Sequence, residues 1–551
     1  MTFCYRAVII LLLLSSGSWG AAAAVVQEDA HDLERKVDQV FAAYDRPDSP
    51  GCALGVIRDG EFLYKRGYGS GSLELGVSLT PQSIFYMGSV SKQFTAASVV
   101  LAAEQGYLSL DDDVRKYIPE LPSYGYTITL RQMLNHTSGY RDYLALLLLA
   151  GDNWEDVHSM PEILDLISRQ KALNYIPGSE YLYSNTNFVL MSEVIQRTTG
   201  KSLAQFAEEN IFKPLGMSHT RFYEDRTGVV PGRVPAYKPL AAGGFGVDWT
   251  TNFDLVGDGG LLSSVDDLLM WDRNFYANKL GKGTLLRELQ KPGVLNSGKQ
   301  IGYALGLFIG SYRGLPTVEH NGSLFGYRLE LLRFPEQKFS VISLCNLESA
   351  KSRILASRVA DIYLKEQERP AAAVLQVDPQ PFIGQYRNPE SHSVLDLSVA
   401  EGDLASAGEH FKALGPRRFR AASEEELTFE FNGGKPAALT LTAPDTVPQR
   451  FEKFQPFKPS ATDLAQYAGV YTSSELPAPY RFTLQDGHLT LGVDWRKPTL
   501  LVPSVRDEFQ NPSLGTSIVF RRDAAGRIDG CDIFSRQVRH IAFAKAVLST
   551  R

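Results

Sequence analysis

The chain has little cysteine, little histidine and no large excess of charge of either sign. It has 551 residues, of which 4 are cysteine and 9 are histidine, and a formal net charge of −6 at pH 7. No histidine falls in a His-x-His or His-Glu-x-x-His pattern, and the cysteines lack the spacing of a metal site, so we predict no metal and no other cofactor. The weakly acidic balance argues against nucleic acid or an anionic membrane as a partner.

Long apolar runs are also absent after the first residues. Residues 1–24 have the form of a secretory signal, with Arg6, an apolar run from Ala7 to Leu14, and small residues from Ala21 to Ala24. The run is too short to cross a membrane, and no later stretch is long enough. We therefore expect cleavage near Ala22–Ala24 and export to the periplasm or the medium, without a transmembrane anchor.

The first motif that carries chemistry is Ser-Val-Ser-Lys at positions 89–92. In a helix, Ser89 and Lys92 lie one turn apart on the same face, so the amine can reach the hydroxyl. A serine hydroxyl is a weak nucleophile until a neighbouring base takes its proton, and a lysine among apolar residues loses its own proton more easily because burial disfavours charge. A second Ser-x-x-Lys, Ser168 to Lys171, stands at the polar end of an amphipathic stretch and is interpreted as a solvated helix end.

The second motif is Tyr-Ser-Asn at positions 183–185. It follows a Pro-Gly turn signal and precedes an apolar-periodic run, which predicts a loop leading into a helix with Ser184 or Asn185 as its N-cap. On its own this pattern is a loop tyrosine and a cap. In a catalytic interpretation, Tyr183 is a second acid or base, and Asn185 is an amide that binds both Lys92 and the substrate.

The third motif is His-Asn-Gly at positions 320–322, in a run whose composition predicts a strand. A glycine such as Gly322 allows close backbone approach, which suits a strand that lies beside a substrate. A lone His-x-Gly is most often structural. As the third of three ordered motifs, His320 becomes a candidate for substrate binding.

The three motifs, in their order and spacing, resemble those of the penicillin-recognising serine hydrolases. This group includes class C β-lactamases, DD-carboxypeptidases, D-aminopeptidases and β-lactamase-like esterases. Residues 134–139 (Leu-Asn-His-Thr-Ser-Gly) and 259–264 (Gly-Gly-Leu-Leu-Ser-Ser) also resemble landmarks of the family, and the resemblance covers roughly residues 30 to 365. It implies an α/β (α+β) fold, with a β-lactamase/transpeptidase-like catalytic domain in which a mainly antiparallel sheet is flanked by helices.

The resemblance also implies a role for each matched residue. Ser89 would be acylated, and Lys92 and Tyr183 would share proton transfer, with either of them as the base. Asn185 would orient the substrate. The backbone N–H groups of Ser89 and Ser323 would form the oxyanion hole, which often contributes more than any other group to the rate of acyl transfer.

The third motif departs from the β-lactamase pattern. His320 stands where β-lactamases have a lysine, while Gly322 keeps the strand open. A histidine is mostly neutral at pH 7, so its attraction for a substrate carboxylate should be weaker and pH-sensitive. The departure argues against strong β-lactamase activity and is similar to the DD-peptidase and D-aminopeptidase branches and some esterases.

Three cysteines remain once the signal is removed: Cys52, Cys345 and Cys531. The implied fold would place the strand-like runs that hold Cys52 and Cys345 side by side. A disulfide between them and a pair of buried free thiols both remain open.

The chain is too long for one domain. After the signal, we predict a catalytic domain at 25–366, a linker at 367–380, and two β-barrel-like repeats at 381–456 and 462–547. The repeat is seen where Phe382 to Tyr386 matches Tyr467 to Tyr471, about 85 residues later. Both units alternate apolar and polar residues between turn signals, which predicts small antiparallel barrels or sandwiches. Such extensions resemble those of D-aminopeptidase-like proteins, where they can border the active site. Here they either do so or only shield or anchor the catalytic domain.

These features favour a secreted serine hydrolase that forms an acyl-enzyme on Ser89 and acts on peptides containing D-residues, as a DD-carboxypeptidase or D-aminopeptidase does. The substrate would be a small peptide, amide or ester, including peptides derived from peptidoglycan. Two alternatives remain. One is a β-lactamase or β-lactamase-like carboxylesterase, and the other is a penicillin-binding sensor or scaffold without turnover, which the presence of Ser89, Lys92, Tyr183 and Asn185 together disfavours.

Overall fold

A computed structural model of the chain describes residues 31–152, 156–248, 254–365, 375–423, 425–443, 448–494 and 496–546. The predicted signal, 1–24, and residues 367–374 of the predicted linker lie outside these ranges. No helix within them is long and apolar enough to span a bilayer.

The N-terminal region combines helices with short and long strands. In chain order, its strands are β1 (Cys52–Arg58), β2 (Glu61–Tyr68), β3 (Ser70–Ser72), β4 (Val77–Ser78), β5 (Phe85–Tyr86), β6 (Arg221–Phe222), β7 (Tyr237–Pro239), β8 (Phe245–Val247), β9 (Leu261–Ser263), β10 (Phe308–Tyr312), β11 (Leu315–Leu324), β12 (Tyr327–Phe334) and β13 (Phe339–Cys345). Its helices are α1 (31–41), α2 (Ser91–Glu104), α3 (Leu130–Leu134), α4 (Tyr143–Leu149), α5 (Met160–Ser168), α6 (Thr186–Thr199), α7 (Leu203–Ala207), α8 (Lys213–Leu215), α9 (Val265–Ala277), α10 (Leu285–Leu289) and α11 (Ser352–Leu364). The longest strands form one antiparallel sheet in the order β10-β11-β12-β13-β1-β2.

Both faces of this sheet are buried, because its strands place alternate side chains in two different cores. In β1, Leu54 and Val56 pack with α1 and α11 on one face, whereas Ala53 and Ile57 face the large core that contains α2 and α9. β12 and β13 alternate in the same way. The sheet therefore forms the middle layer between helices on both sides.

The pairing of β1 with β13 also decides the state of two cysteines. Cys52 and Cys345 are direct neighbours in the antiparallel register, and the structure joins them in a disulfide. Cys531 is a buried free thiol. Of the two alternatives left open by the sequence, the disulfide is the one observed.

The first C-terminal unit is a closed antiparallel barrel with its own core. Its strands follow one another around the barrel: β14 (Gly384–Arg387), β15 (Val394–Ala400), β16 (Asp403–Ser406), β17 (Glu409–Gly415), β18 (Arg418–Ala421), β19 (Glu426–Asn432), β20 (Lys435–Thr442) and β21 (Gln449–Lys453). The apolar side chains inside it form a separate cluster around Phe382, Tyr386 and Phe429.

The second unit is a nearly closed sheet preceded by α12 (Ala461–Ala465). Its strands are β22 (Gly469–Thr472), β23 (Tyr480–Gln485), β24 (His488–Val493), β25 (Thr499–Leu500), β26 (Val502–Pro503), β27 (Glu508–Asn511), β28 (Thr516–Arg522), β29 (Ile528–Ser535) and β30 (Ile541–Lys545). The sheet order runs from β25 through β24, β23, β22, β30, β29, β28 and β27 to β26. Because only Leu501 separates β25 from β26 in sequence, the two sheet edges lie next to each other. The predicted fold class, a mixed α/β catalytic domain followed by small antiparallel barrels, is confirmed.

Equivalent side chains make equivalent contacts in the two units. The hydroxyl of Tyr386 donates to the carbonyl of Phe382, and that of Tyr471 donates to the carbonyl of Tyr467, each at 2.9 Å. The predicted internal repeat thus corresponds to one local structure formed twice.

Candidate active site

Ser89 lies in the tight turn that connects β5 to α2. Gly88 adopts φ +48°, a backbone conformation that side chains disfavour, so a glycine is needed directly before the serine. The Ser91 hydroxyl fixes this turn by donating to the Gly88 carbonyl at 2.6 Å and accepting from the Leu261 N–H at 3.1 Å. Residues 88–90 form one 3-10 turn that leads directly into α2, so Ser89 and Lys92 lie on the same side, as their spacing predicts.

The Lys92 amine is fully buried and surrounded by oxygen atoms. Its Nζ donates to Ser89 Oγ at 3.1 Å, to Asn185 Oδ1 at 2.8 Å and to the Asp258 carbonyl at 2.6 Å. Burial lowers the pKa of Lys92 to about 8, although the nearby carboxylates of Asp258 and Asp142 oppose this shift. Part of the Lys92 population is therefore neutral near pH 8, and the neutral amine can accept a proton from Ser89.

The Tyr-Ser-Asn motif lies on a loop that enters α6. Asn185 occupies the predicted N-cap position but makes no capping hydrogen bond, because its side chain is turned toward Lys92. The buried carboxylate of Asp142 accepts the Asn185 backbone N–H. The ring of Tyr183 lies 4.9 Å from Lys92 Nζ, measured to the ring centroid. The structure thus brings Lys92 and Tyr183 close to each other, and Tyr183 lines the same cavity as Ser89.

His136, in the Leu-Asn-His-Thr-Ser-Gly landmark, supports this loop. Its Nδ1 accepts the Ser184 backbone N–H at 3.1 Å, its carbonyl accepts the Leu182 N–H at 3.0 Å, and its ring lies 4.2 Å from that of Tyr183. Burial holds the pKa of His136 well below its usual range, so the imidazole stays neutral and can accept that hydrogen bond. The sequence marked the landmark but did not predict that this histidine positions the second motif.

The third motif brings β11 against the serine turn. A side chain at Gly322 would place its Cβ 2.3 Å from the Met87 carbonyl, so only glycine allows this approach. A Cβ at Gly88 would lie 3.0 Å from the backbone nitrogen of Ser323. The backbones of Ser89 and Ser323 are therefore adjacent, as the predicted oxyanion hole requires.

His320 lies on the buried side of β11. It is 0 % exposed; its Nε2 lies 3.0 Å from the Tyr303 hydroxyl and its Nδ1 lies 2.7 Å from the Asn321 carbonyl. Burial lowers the pKa of His320 to about 3. The expectation of a pH-sensitive charge near neutrality is therefore not met, because the imidazole remains neutral far below pH 7. Its neighbours Asn321 and Ser323 face a cavity instead.

Two cavities meet at Ser89. The smaller, of about 80 Å³, is bounded by Ser89, Asn185, Asp258, Leu255 and Leu324, with Asp258 as the charged group among the described residues that line it. Asp258 Oδ2 accepts from the Tyr143 hydroxyl at 3.1 Å, and burial raises the pKa of Asp258 to about 6. The sequence offered no signal for this carboxylate beyond its place directly before the Gly-Gly landmark at 259–260.

The larger cavity, of about 580 Å³, is shared between the catalytic domain and both C-terminal units. Tyr183, Asn321 and Ser323 line it on the catalytic side, Gln449 comes from the first unit, and Arg536 and Gln537 come from the second. The Gln537 amide donates to the Tyr183 carbonyl at 3.0 Å. The C-terminal units therefore border the candidate site, which was one of the two roles left open by the sequence.

Two further observations concern metal-ligating side chains and the second Ser-x-x-Lys. Within the described residues, no group of three or more His, Cys, Asp or Glu side chains is arranged to hold a metal ion. The second Ser-x-x-Lys lies at the end of α5, where the backbone N–H of Lys171 donates to Glu475 at 2.7 Å.

Comparisons with known proteins agree with this geometry. A family model described as beta-lactamase matches residues 36–364. A D-aminopeptidase of Brucella anthropi is 26 % identical over 519 residues, covering 90 % of this chain and 95 % of the relative. A D-aminopeptidase of Gluconobacter oxydans is 28 % identical over 451 residues, covering 78 % and 80 %.

Two solved structures share the fold. An octameric penicillin-binding protein homologue from Pyrococcus abyssi has a TM-score of 0.56 and 22 % identity, covering 77 % of this chain and 100 % of that chain. A D-amino acid amidase from Ochrobactrum anthropi, complexed with D-phenylalanine, has a TM-score of 0.52 and 21 % identity, covering 61 % of this chain and 99 % of the amidase.

Proposed function

The chain belongs to the beta-lactamase family, and from this membership and the geometry at Ser89 we propose that it is a serine hydrolase that removes the N-terminal residue from peptides beginning with a D-amino acid. The observation that carries the proposal is the buried Lys92 amine, 3.1 Å from Ser89 Oγ, in a chain similar over 90 % of its length to a D-aminopeptidase. Acyl transfer from such a serine requires a neutral base at this position.

The proposed reaction has two halves. Ser89 Oγ attacks the substrate carbonyl, its proton passes to the Lys92 and Tyr183 pair, and the N–H groups of Ser89 and Ser323 stabilise the oxyanion. The C–N bond then breaks, and the leaving amine takes the proton from the same pair. A water molecule attacks the acyl-enzyme, the pair accepts its proton, and Ser89 is released as the free hydroxyl.

The smaller cavity supports an aminopeptidase over a carboxypeptidase. Asp258 is the charged residue among the described residues that line the cavity of about 80 Å³ beside Ser89. A nearly buried carboxylate such as that of Asp258 favours a cationic partner, for example the free ammonium of an N-terminal residue. The volume suits a small residue such as D-alanine. His320 offers no cation for a substrate carboxylate, which disfavours a β-lactamase.

Export to the periplasm or the medium also belongs to the proposal. The disulfide between Cys52 and Cys345 is the type of bond that persists in oxidising compartments, which agrees with the signal predicted at 1–24. In the periplasm the enzyme would meet peptidoglycan-derived peptides, which contain D-residues. Fractionation of expressing cells, with mass spectrometry of the mature N-terminus, tests this: a cytoplasmic protein that begins at Met1 would contradict it.

Turnover of D-alanine p-nitroanilide against its L-isomer tests the activity itself. We expect turnover of the D-isomer by wild-type protein, its loss in Ser89→Ala, and a kcat/KM that rises with pH through about 8 as Lys92 loses its proton. In parallel, intact mass after incubation with a fluorescent penicillin reports acylation of Ser89. Turnover of p-nitrophenyl esters alone would favour the carboxylesterase, and a stable adduct without any turnover would favour the sensor.

A further inference from the structure

The turn between β29 and β30 is held firmly against the catalytic domain. It is closed by the Ser535 N–H, which donates to the Val538 carbonyl at 2.7 Å, and Val538 is 0 % exposed. The Gln537 carbonyl accepts from Asn174 Nδ2 at 3.0 Å, and the Arg539 N–H donates to Asn174 Oδ1 at 2.8 Å. These hydrogen bonds hold the turn backbone in place around Arg536, which lines the larger cavity.

Arg536 differs from the other arginines at this contact. Arg539 pairs with Glu180 at 3.1 Å, and Arg141 is buried against Glu475. Arg536 is exposed and, within the described ranges, its guanidinium has no hydrogen bond or ion pair. It is also the one charged side chain among the described residues that line the larger cavity. This half of the site therefore carries an uncompensated positive charge, whereas Asp258 gives the smaller cavity a carboxylate.

The proposed reaction assigns the two cavities to different parts of the substrate. The leaving amine must receive its proton from the Lys92 and Tyr183 pair, and Tyr183 lines the larger cavity. The leaving group therefore occupies the cavity that contains Arg536, and the N-terminal residue occupies the cavity that contains Asp258.

We propose that Arg536 binds the C-terminal carboxylate of the leaving residue, so that short peptides with both ends free are preferred to amides and blocked peptides. This inference rests on the proposed function and adds the substrate class. A guanidinium can hold a carboxylate through two parallel N–H donors, which gives orientation as well as affinity. The complementary charges of the two cavities also give the substrate one direction: ammonium toward Asp258, carboxylate toward Arg536.

The test compares two substrates that differ in one group, D-Ala-D-Ala and D-Ala-D-Ala amide. We expect wild-type protein to prefer the free acid by about tenfold in kcat/KM, expressed mainly in KM, as for one charge-assisted contact at an exposed position. The preference should decrease with added salt, because the pair is open to solvent. Arg536→Gln should bring the ratio of acid to amide close to one, Arg536→Lys should restore part of it, and Arg536→Glu should invert it. Arg527→Gln, an exposed arginine elsewhere in the same unit, is the matched control and should keep the wild-type ratio.

The outcomes separate this inference from the proposed function. If wild-type protein hydrolyses D-alanine p-nitroanilide through Ser89 but does not distinguish acid from amide, the role of Arg536 is wrong and the proposed function stands. If Arg536→Gln lowered kcat/KM equally on the acid and the amide, the role of Arg536 would also be wrong, since a structural defect does not depend on the substrate charge. If no D-substrate is hydrolysed by any variant, the proposed function itself fails.

Discussion

The two C-terminal units come from one repeated sequence pattern but contact the catalytic domain very differently. The first unit keeps a separate core and is linked to the catalytic domain by an exposed contact between Lys351 and Glu409. The second unit shares a continuous core with the catalytic domain, from Leu464 to Phe543. Its loops add a buried ion pair between Arg141 and Glu475.

The two units contact the catalytic domain differently because their loops differ, whereas their barrels are alike. The repeated contacts, such as the tyrosine hydroxyls of Tyr386 and Tyr471, lie inside each unit and are the same in both. The segment 535–538, which reaches Tyr183, and the segment around Glu475 are connections at the edge of the second unit. A repeat in sequence therefore indicates a repeated fold. The loops of the second unit are what bring that unit into contact with the active-site region.

The largest expected effect on stability comes from breaking the buried ion pair that joins the second unit to the catalytic domain. Glu475→Ala leaves Arg141, 1 % exposed, without its carboxylate, and we expect a loss of about 3–5 kcal/mol in the free energy of unfolding. Glu426→Ala in the first unit removes the partner of a half-exposed Arg418 and should cost about 0–1 kcal/mol. Urea unfolding of both variants measures the difference. Equal losses would show that the two units depend on their ion pairs to the same extent.

The next effect concerns the contact between the two units, where Glu508 of the second accepts from Arg387 and His392 of the first. Burial alone would raise the pKa of Glu508, but these hydrogen bonds outweigh it and lower the pKa to about 2. Because the folded pKa is below the ordinary value, the stabilisation is present above about pH 4.5 and is lost as the pH falls toward 2.

We therefore expect Glu508→Gln to lower the free energy of unfolding by about 3 kcal/mol at pH 7 and to have little effect near pH 2. Urea unfolding across this pH range measures it, with Glu452→Gln, an exposed carboxylate of the first unit, as the control. A deficit in Glu508→Gln that does not change with pH would contradict the linkage.

A smaller effect is expected on catalysis. Gln537→Glu removes the side-chain N–H that donates to the Tyr183 carbonyl. Because Tyr183 is then misplaced, we expect kcat/KM to fall about tenfold. The unfolding midpoint should not change. Gln449→Ala, the residue that the first unit contributes to the same cavity, should change kcat/KM by less than about twofold. Steady-state kinetics on D-alanine p-nitroanilide compares the two. Similar losses would mean that both units contribute equally to the site.

The smallest effect is expected where the first unit contacts the catalytic domain. Lys351 is 67 % exposed and lies 3.7 Å from Glu409, so Lys351→Ala should change the free energy of unfolding by less than about 0.5 kcal/mol. Thermal unfolding in low and high salt measures it. A larger loss in the free energy of unfolding that did not depend on salt would mean that the first unit also has a buried interface with the catalytic domain.

Much of the fold and part of the site could be predicted from the sequence. Local spacing predicted the contact between Ser89 and Lys92 and the strand-like runs, and the family resemblance implied the catalytic fold. The three-residue interval between Ser89 and Lys92 predicted that the Lys92 amine reaches the Ser89 hydroxyl. The alternation of apolar and polar residues predicted strands with two different faces. The sequence suggested a disulfide for Cys52 and Cys345 only as one alternative, since the register of β1 with β13 decides it. Of the two roles that the sequence allowed for Asn185, a cap and a partner of Lys92, the structure shows the second. The sequence also predicted a pH-sensitive His320, but burial keeps its imidazole neutral.

The sequence by itself determined the nucleophile candidate, the order of the motifs and the repeated barrels, because periodicity and short spacings encode local geometry directly. The catalytic fold was implied by the resemblance of the three motifs to a known family. Tertiary structure alone decided that Asp258, Arg536 and Gln537 line the cavities at Ser89, since positions 258 and 536–537 are far from Ser89 in sequence and belong to no common pattern with it. It also decided which groups carry charge. Burial lowers the pKa of Lys92 and of His320, and burial is a property of the packed chain that no short stretch of sequence contains.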